Sequence, residues 1–334
     1  MAVALTEWLE LIDREYLRDF IVQGGAAVKF VIADEVGKAK LATAFARQAA
    51  EHGLVFAGLG SAEVKLHMMQ DVFFAIARQM DWEADAQRFV EGMFRSQGYR
   101  WPAPGQPIAL NEIADANHVD PTILRREFNK WLTSDLMNDP GMAQDFRIAL
   151  TQLCQNRLMP AGHEGDTVAP ILQWLRGELR VLSPLKSAFI YSKITRHNAR
   201  AMLRSLCRWL RLAGHNGLFL TIDIRQVSRS PADGIRYAGK PERDAASSIA
   251  QAPAAVRYTQ GAVMDAYEVL RQLVDDADLF DGFFLAVVAD HAFIGSDVKR
   301  SVDAYTALKM RIWDDVRARE DNPLAPMVVV DAER

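Results

Sequence analysis

Five short apolar runs are what this chain must bury: VKFVI (28–32), LVFAG (54–58), GLFLTID (217–223), FFLAVVA (283–289) and MVVV (327–330). Each is nearly unbroken. A strand wetted on one face alternates apolar and polar residues, whereas a strand covered on both faces does not. Helical patterns separate the runs, and parallel neighbours need such crossovers. The expected fold is α/β, a five-stranded, mostly parallel sheet in a three-layer sandwich. The spacing is uneven, because the second run ends at Gly58 and the third begins at Gly217. Between them, DVFFAIARQM, AQRFVEGMF, TILRREFNKWL and MAQDFRIALTQLCQNRL place apolar residues three and four apart, as helices do. WPAPGQP (101–107) is the clearest break, since its three prolines cannot sit inside a helix. The expected organisation is an α/β domain of 1–62 and 198–334, with an all-helical insertion at 63–197. A second irregular stretch, 228–253, is rich in Pro, Gly and Ser and reads as a mobile loop.

Composition narrows the function classes. Half of the 334 residues are hydrophobic and a quarter charged, and the net charge of −4 gives no global attraction for nucleic acid. Cys154 and Cys207 lie far apart among apolar neighbours and read as buried residues of a reducing compartment. Glu7, Glu10 and Asp13 interrupt the first apolar residues, so no signal peptide is expected. No run approaches the ~20 apolar residues of a membrane span. A cytoplasmic location and no membrane partner follow as expectations. The seven histidines are scattered, with no pair at ligand spacing on one helix, so no structural zinc is expected.

KFVIADEVGKAKLATAF (29–45) has the order of a phosphate-binding loop: apolar strand, Gly-Lys, helix. Such a loop needs glycines because backbone N–H groups must wrap the phosphates. The pattern G-x-x-x-x-G-K-S/T puts its first glycine at Ile32, or at Ala33 with a one-residue contraction, and its hydroxyl at Ala39. Gly37 and Lys38 remain, while Asp34 and Glu35 would repel phosphate. LFLTIDI (218–224) adds an apolar run ending in Asp223, a candidate magnesium ligand. Ile224 stands where a glutamate would polarise water, and it can neither accept a proton nor orient water. The alternative for Asp223 is a strand-end aspartate that caps the next turn.

EYLRDFIVQGGAAVKFVIAD (15–34), ILQWLRGE (171–178), NARAMLRSLCRWLRLAGHNGLFLTID (198–223) and AYEVLRQLVDDADLFDGFFLAVVA (266–289) resemble, in order and spacing, the P-loop ATP-binding proteins of BREX-type bacteriophage-defence systems, which are AAA-like ATPases. The resemblance implies a five-stranded P-loop sheet, ATP and magnesium as ligands, and a place in an anti-phage defence assembly. Its implied partners are other defence proteins, including an intact ATPase or nuclease. It also puts a polar sensor at the end of the fourth strand, where Asp290 and His291 stand. Of the family's nucleotide motifs only Gly37, Lys38 and Asp223 correspond, and its helical lid after the last strand is not expected here. The losses predict a non-catalytic, pseudo-ATPase subunit, a scaffold or DNA- or partner-binding component, with nucleotide bound without hydrolysis if at all. Two rivals stay open: an ATPase completed by another subunit, and a DNA-binding regulator.

The regulator rests on PIALNEIADANHVDPTILRREFNKWL (107–132), which has the form of a helix-turn-helix. Ile113 and Ala114 would pack the first helix, Val119 the turn, and Ile123, Leu124 and Phe128 the second. Asp120 and Pro121 make an N-cap and first-turn pair. Arg125, Arg126 and Lys130 would face phosphates or base edges. His118 stands where the motif wants glycine in a left-handed backbone. The alternative is two helices of a bundle with a polar face. A further basic stripe, Arg200, Arg204, Arg208 and Arg211, is a candidate for DNA phosphates or an acidic partner. Its alternative is a solvated face paired with carboxylates such as those at 275–278.

Overall fold

The apolar runs become strands of one sheet in a computed structural model that describes residues 2–103, 108–159, 167–229, 255–295, 297, 299–313 and 322–333. Two-residue β1 (Val3–Ala4) leads into α1 (Leu5–Ile12), which continues as a π-helical stretch, Asp13–Ile21. β2 (Ala26–Ile32), α2 (Glu35–Glu51) and β3 (Val55–Gly60) follow. Seven helices come next: α3 (Met69–Ala77), α4 (Trp82–Ser96), α5 (Leu110–Ala116), α6 (Pro121–Leu132), α7 (Gln144–Asn156), α8 (Val168–Leu175) and α9 (Ala199–Leu212). The chain then adds β4 (Leu218–Asp223), α10 (Arg225–Ser228), α11 (Gln260–Asp275), β5 (Phe283–Ala289), α12 (Thr306–Ile312) and β6 (Met327–Asp331). It divides into two compact units, 1–72 with 217–334, and 73–216. The second unit therefore takes in α9, which the sequence patterns had grouped with the sheet. Most of the irregular stretch 228–253 lies outside the described residues.

Among the described residues the sheet has six strands, not five, in the order β1-β6-β2-β5-β4-β3, with every pairing parallel. The added strand is β1, whose Val3 and Ala4 pair with Val330 and Asp331. Two residues are too few to show a period. One face is covered by α1, the π-helical stretch and α2, which bring Trp8, Ile12, Leu17, Leu41 and Phe45 onto Val31, Phe219, Phe284 and Val330. Each such side chain contributes about 1.5–3 kcal/mol by leaving water. On the other face Phe30 stacks on Phe293 at 6.0 Å, and Tyr267 of α11 meets Phe293 edge-on. Continuous apolar runs are the consequence of this double cover. Register aligns Ile32 with Ala289, Val288 with Asp223, and Asp223 with Gly60. The carboxyl ends of four strands thus share one edge, where open parallel sheets place their ligands.

Lys29 is the exception within β2, buried at 4% exposure. Its Nζ donates to Leu324 O at 2.7 Å and lies 4.5 Å from the centre of the Tyr16 ring. Burial pushes its ammonium from the ordinary 10.5 down to about 8. The unfolded chain therefore holds this proton more tightly than the folded one. Stability should rise as pH climbs from about 8 to about 10.5, because the cost of charging Lys29 in the core fades across that window. Lys29→Met should lack that component, so the difference in denaturation free energy between the two proteins should change with pH by roughly 3 kcal/mol.

In the helical unit α4 and α7 meet through Trp82 and Phe146, 6.0 Å apart, and Trp82 Nε1 donates to Ala77 O. Phe89 and Trp209 join α4 to α9 at 5.2 Å. Cys154 and Cys207 are buried thiols. Among the described residues no helix is long and apolar enough to cross a membrane.

Candidate functional site

Only Ala33 and Asp34 separate the end of β2 from the start of α2. Wrapping a phosphate takes several successive N–H groups aimed at one point, and two residues cannot supply them. Gly37 and Lys38 consequently lie not in a loop but in the first turn of α2. The Gly37 N–H donates to Asp34 Oδ1 at 2.6 Å. An aspartate cap of this kind satisfies one of the helix's free donors. It also puts the protein's own carboxylate where a helix N-terminus would hold an anion. Gly37 fits the cap tightly, since a Cβ there would stand 3.1 Å from Asp34 Oδ1 and 3.2 Å from the Ala33 Cβ. Lys40 is turned away, donating to Ala332 O at 2.7 Å.

Lys38 and Asp223 do meet, as an ion pair with each other. Asp223 also receives Arg225: the guanidinium donates to Oδ1 and Oδ2 at 3.0 Å each, and the Arg225 N–H to Oδ1 at 3.1 Å. Arg225 extends to Glu35, which pairs in turn with Arg229 at 3.0 Å. Arg229 reaches Asp290 at 3.4 Å. Asp290 accepts from Ala292 N–H and so caps the short 3₁₀ turn His291–Ile294. Burial acts to raise the Asp223 carboxyl, but Arg225 and Lys38 outweigh it and hold it below the ordinary carboxylate value. Arg225 likewise lowers the exposed Glu35. Both acids are depressed, so what they add to stability is present above the ordinary carboxylate range and lost as pH falls through their lowered values. Ile224 is fully buried, its N–H donating to Val288 O at 2.9 Å.

These residues do not fit magnesium-ATP. A metal at Asp223 must displace a two-pronged guanidinium, and a phosphate at Gly37 must displace Asp34. The cleft that Lys38 and Asp223 line together with Ala42, Phe45, Gly58 and Thr221 has a volume of about 220 Å³. That is below the ~300–1,000 Å³ usual for small-molecule pockets. Among the described residues no three His, Cys, Asp or Glu side chains are grouped to hold a metal. Arg225 and Arg229, which bind the network together, were missed by sequence reasoning. The signal was present as Asp223-x-Arg225, with Arg229 one helical turn further on.

The connection between α5 and α6 holds a left-handed residue. His118 has φ of 55°, so the left-handed position exists with histidine in it. Asp120 caps α6, accepting from Thr122 and Ile123 N–H at 2.8 and 3.1 Å. Ile113, Ala114, Leu124 and Phe128 are buried, but Ile123 is 53% exposed. The buried stripe of α6 is Leu124, Phe128 and Leu132, four apart, and Ile123 sits about 100° away from it. Arg125, Arg126 and Lys130 are exposed, Arg126 lying 3.9 Å from Glu127. Arg200, Arg204, Arg208 and Arg211 are half-buried on α9. Arg208 pairs with Asp139 at 3.0 Å, and Asp275 pairs with Arg271 and Arg311.

A family model described as BREX system ATP-binding protein BrxC/D matches residues 1–232, more than half of the chain. No curated protein and no solved structure matches it.

Proposed function

The chain belongs to the family of BREX system ATP-binding proteins, and from that premise we propose that it is a pseudo-ATPase, a non-catalytic subunit of a bacterial anti-phage defence complex. Its P-loop-like sheet serves as a scaffold, and other proteins of the system, including an intact ATPase or a nuclease, supply the chemistry. The observation that carries this is the chain of ion pairs through Lys38, Asp223, Arg225, Glu35, Arg229 and Asp290, beside the Asp34 cap on Gly37 N–H. Phosphoryl transfer is almost wholly positioning and charge stabilisation. Here the groups kept for those tasks, Lys38 and Asp223, neutralise each other, and Ile224 activates no water. Incubation with magnesium-ATP, with and without DNA, should release no phosphate above that of a Lys38→Ala protein. Release that Lys38→Ala abolishes would establish the rival, an ATPase completed by a partner.

One observation favours a second role in the same protein. The left-handed His118 turn and the exposed Arg125, Arg126 and Lys130 on α6 give the helix pair the shape and charge to enter a DNA major groove. Duplex binding should fall with salt, and changing Arg125 and Arg126 together to alanine should reduce the slope of log K against log salt by roughly 2. A duplex affinity indifferent to both arginines would exclude α6 as the contact.

A further inference from the structure

The segment between α8 and α9 exposes side chains that a folded chain normally hides. Val181, Phe189 and Tyr191 are 61%, 65% and 62% exposed. Between the two rings Ile190 is fully buried, as are Leu185 and Ala188 just before them. The stretch is therefore anchored, not loose. Ile190 N–H donates to Leu185 O at 3.1 Å, and Trp174 Nε1 donates to Ser192 O at 3.0 Å. Lys193 Nζ donates to Arg180 O at 3.2 Å, tying the two edges of the segment together.

Phe189 is also in a conformation its side chain disfavours. It ends a 3₁₀ turn, Ser183–Ala188, with φ of 61°. A turn ending this way takes glycine by default, and a bulky residue there is strained. Strain of this kind gathers at functional positions. Ile190 is buried while both flanking rings face solvent. Around them the charge is mostly positive. From 176 to 197 there are five cations, Arg176, Arg180, Lys186, Lys193 and Arg196, and one carboxylate, Glu178. Glu178 lies 3.9 Å from Arg78.

We infer that this segment binds single-stranded nucleic acid, with Phe189 and Tyr191 as stacking platforms for bases and Lys186, Lys193 and Arg180 as contacts to the phosphates. Exposed rings beside cations are what a strand with unstacked bases requires, since every base offers a π-face and every linkage a negative charge. An acidic protein surface would be met by the cations alone and has no need of two solvent-facing rings two residues apart. The inference does not depend on α5 and α6, nor on the state of the nucleotide-site residues.

The test uses the full chain and a fluorescent oligothymidylate of about 16 nucleotides, with heparin as a polyanion that has no bases. Phe189→Gly should weaken oligonucleotide binding about 5- to 100-fold, and Tyr191→Ala should do the same. Phe189→Gly relieves the left-handed backbone, so its thermal midpoint should equal or exceed that of the parent, which separates lost binding from lost folding. Heparin binding should be unchanged by either variant and reduced by Lys186→Ala with Lys193→Ala. Changing Arg125 and Arg126 should leave oligothymidylate binding intact. Oligonucleotide affinity untouched by removal of both rings would overturn the inference in favour of a simple charge surface. Absence of oligonucleotide binding at low salt would overturn it in favour of an acidic protein partner.

Discussion

Gly217→Ala should leave the protein unfolded at ordinary temperature, or less stable by more than about 4 kcal/mol. Gly217 opens β4 with φ of 137°, and a Cβ there would lie 2.0 Å from Gly282 O and 2.6 Å from Gly282 C. Those are backbone atoms at the mouth of β5, where Leu218 N–H also donates to Gly282 O at 2.8 Å. No side-chain rotation relieves such a clash. β4 would have to leave β5, taking with it a pairing that spans Leu218 to Asp223. The contrast is Gly261 in the first turn of α11, where a Cβ meets nothing within 4 Å. Gly261→Ala should stabilise by up to about 1 kcal/mol, since the helix then gains a better former. Urea denaturation of both variants measures the difference. A Gly217→Ala protein within 1 kcal/mol of the parent would mean that β4 and β5 do not approach this closely.

Arg300→Met should cost about 3–5 kcal/mol. Arg300 is buried at 7% exposure, and its guanidinium donates to Val227 O at 3.2 Å, Arg229 O at 2.8 Å and Tyr258 O at 2.8 Å. It thereby clamps the end of α10 to the approach of α11. Its own carbonyl accepts from the buried Tyr267 hydroxyl. Methionine fills the volume but leaves three carbonyls without a donor, each worth about 1–3 kcal/mol when truly buried. Arg300→Lys should recover only part of the loss, because an ammonium's donors issue from one nitrogen, whereas the guanidinium reaches its acceptors from two. Denaturation free energies of the three proteins, in the order Arg, Lys, Met, are the check, and equal values for Arg and Met would refute the clamp.

β2, β4 and β5 were legible because they are covered on both faces and so carry unbroken apolar runs; β3 and β6 are only partly covered yet keep apolar runs. β1 was not legible, since its place depends on β6, reached only at the far end of the chain. Strand order has no local signal at all: β2 lies between β5 and β6, which are separated from it by most of the sequence. The candidate site was legible as residues and illegible as an arrangement. Gly37, Lys38 and Asp223 do converge, but the capture of Gly37 N–H by Asp34 depends on a β2-to-α2 connection of two residues. A strand-loop-helix pattern does not fix that length. The pairing of Lys38 with Asp223 and the closure by Arg225 and Arg229 depend on neighbouring strand ends brought together by crossovers. Helix phase explains the exposure of Ile123, one residue off the stripe of Leu124, Phe128 and Leu132. Phe189, Ile190 and Tyr191 are consecutive residues with no sequence signal to separate them. A single left-handed residue splits them, turning the rings out and the isoleucine in.

Lys38 and Asp223, the groups that correspond to nucleotide motifs, are engaged with each other, and on the proposed reading they hold no nucleotide. Calorimetric titration of magnesium-ATP into the full chain tests this most directly, with Lys38→Ala as the reference. The account predicts heats no larger than dilution, identical for the two proteins. A saturable exotherm in the parent that disappears in Lys38→Ala would contradict it, because Lys38 would then be shown to exchange Asp223 for phosphate.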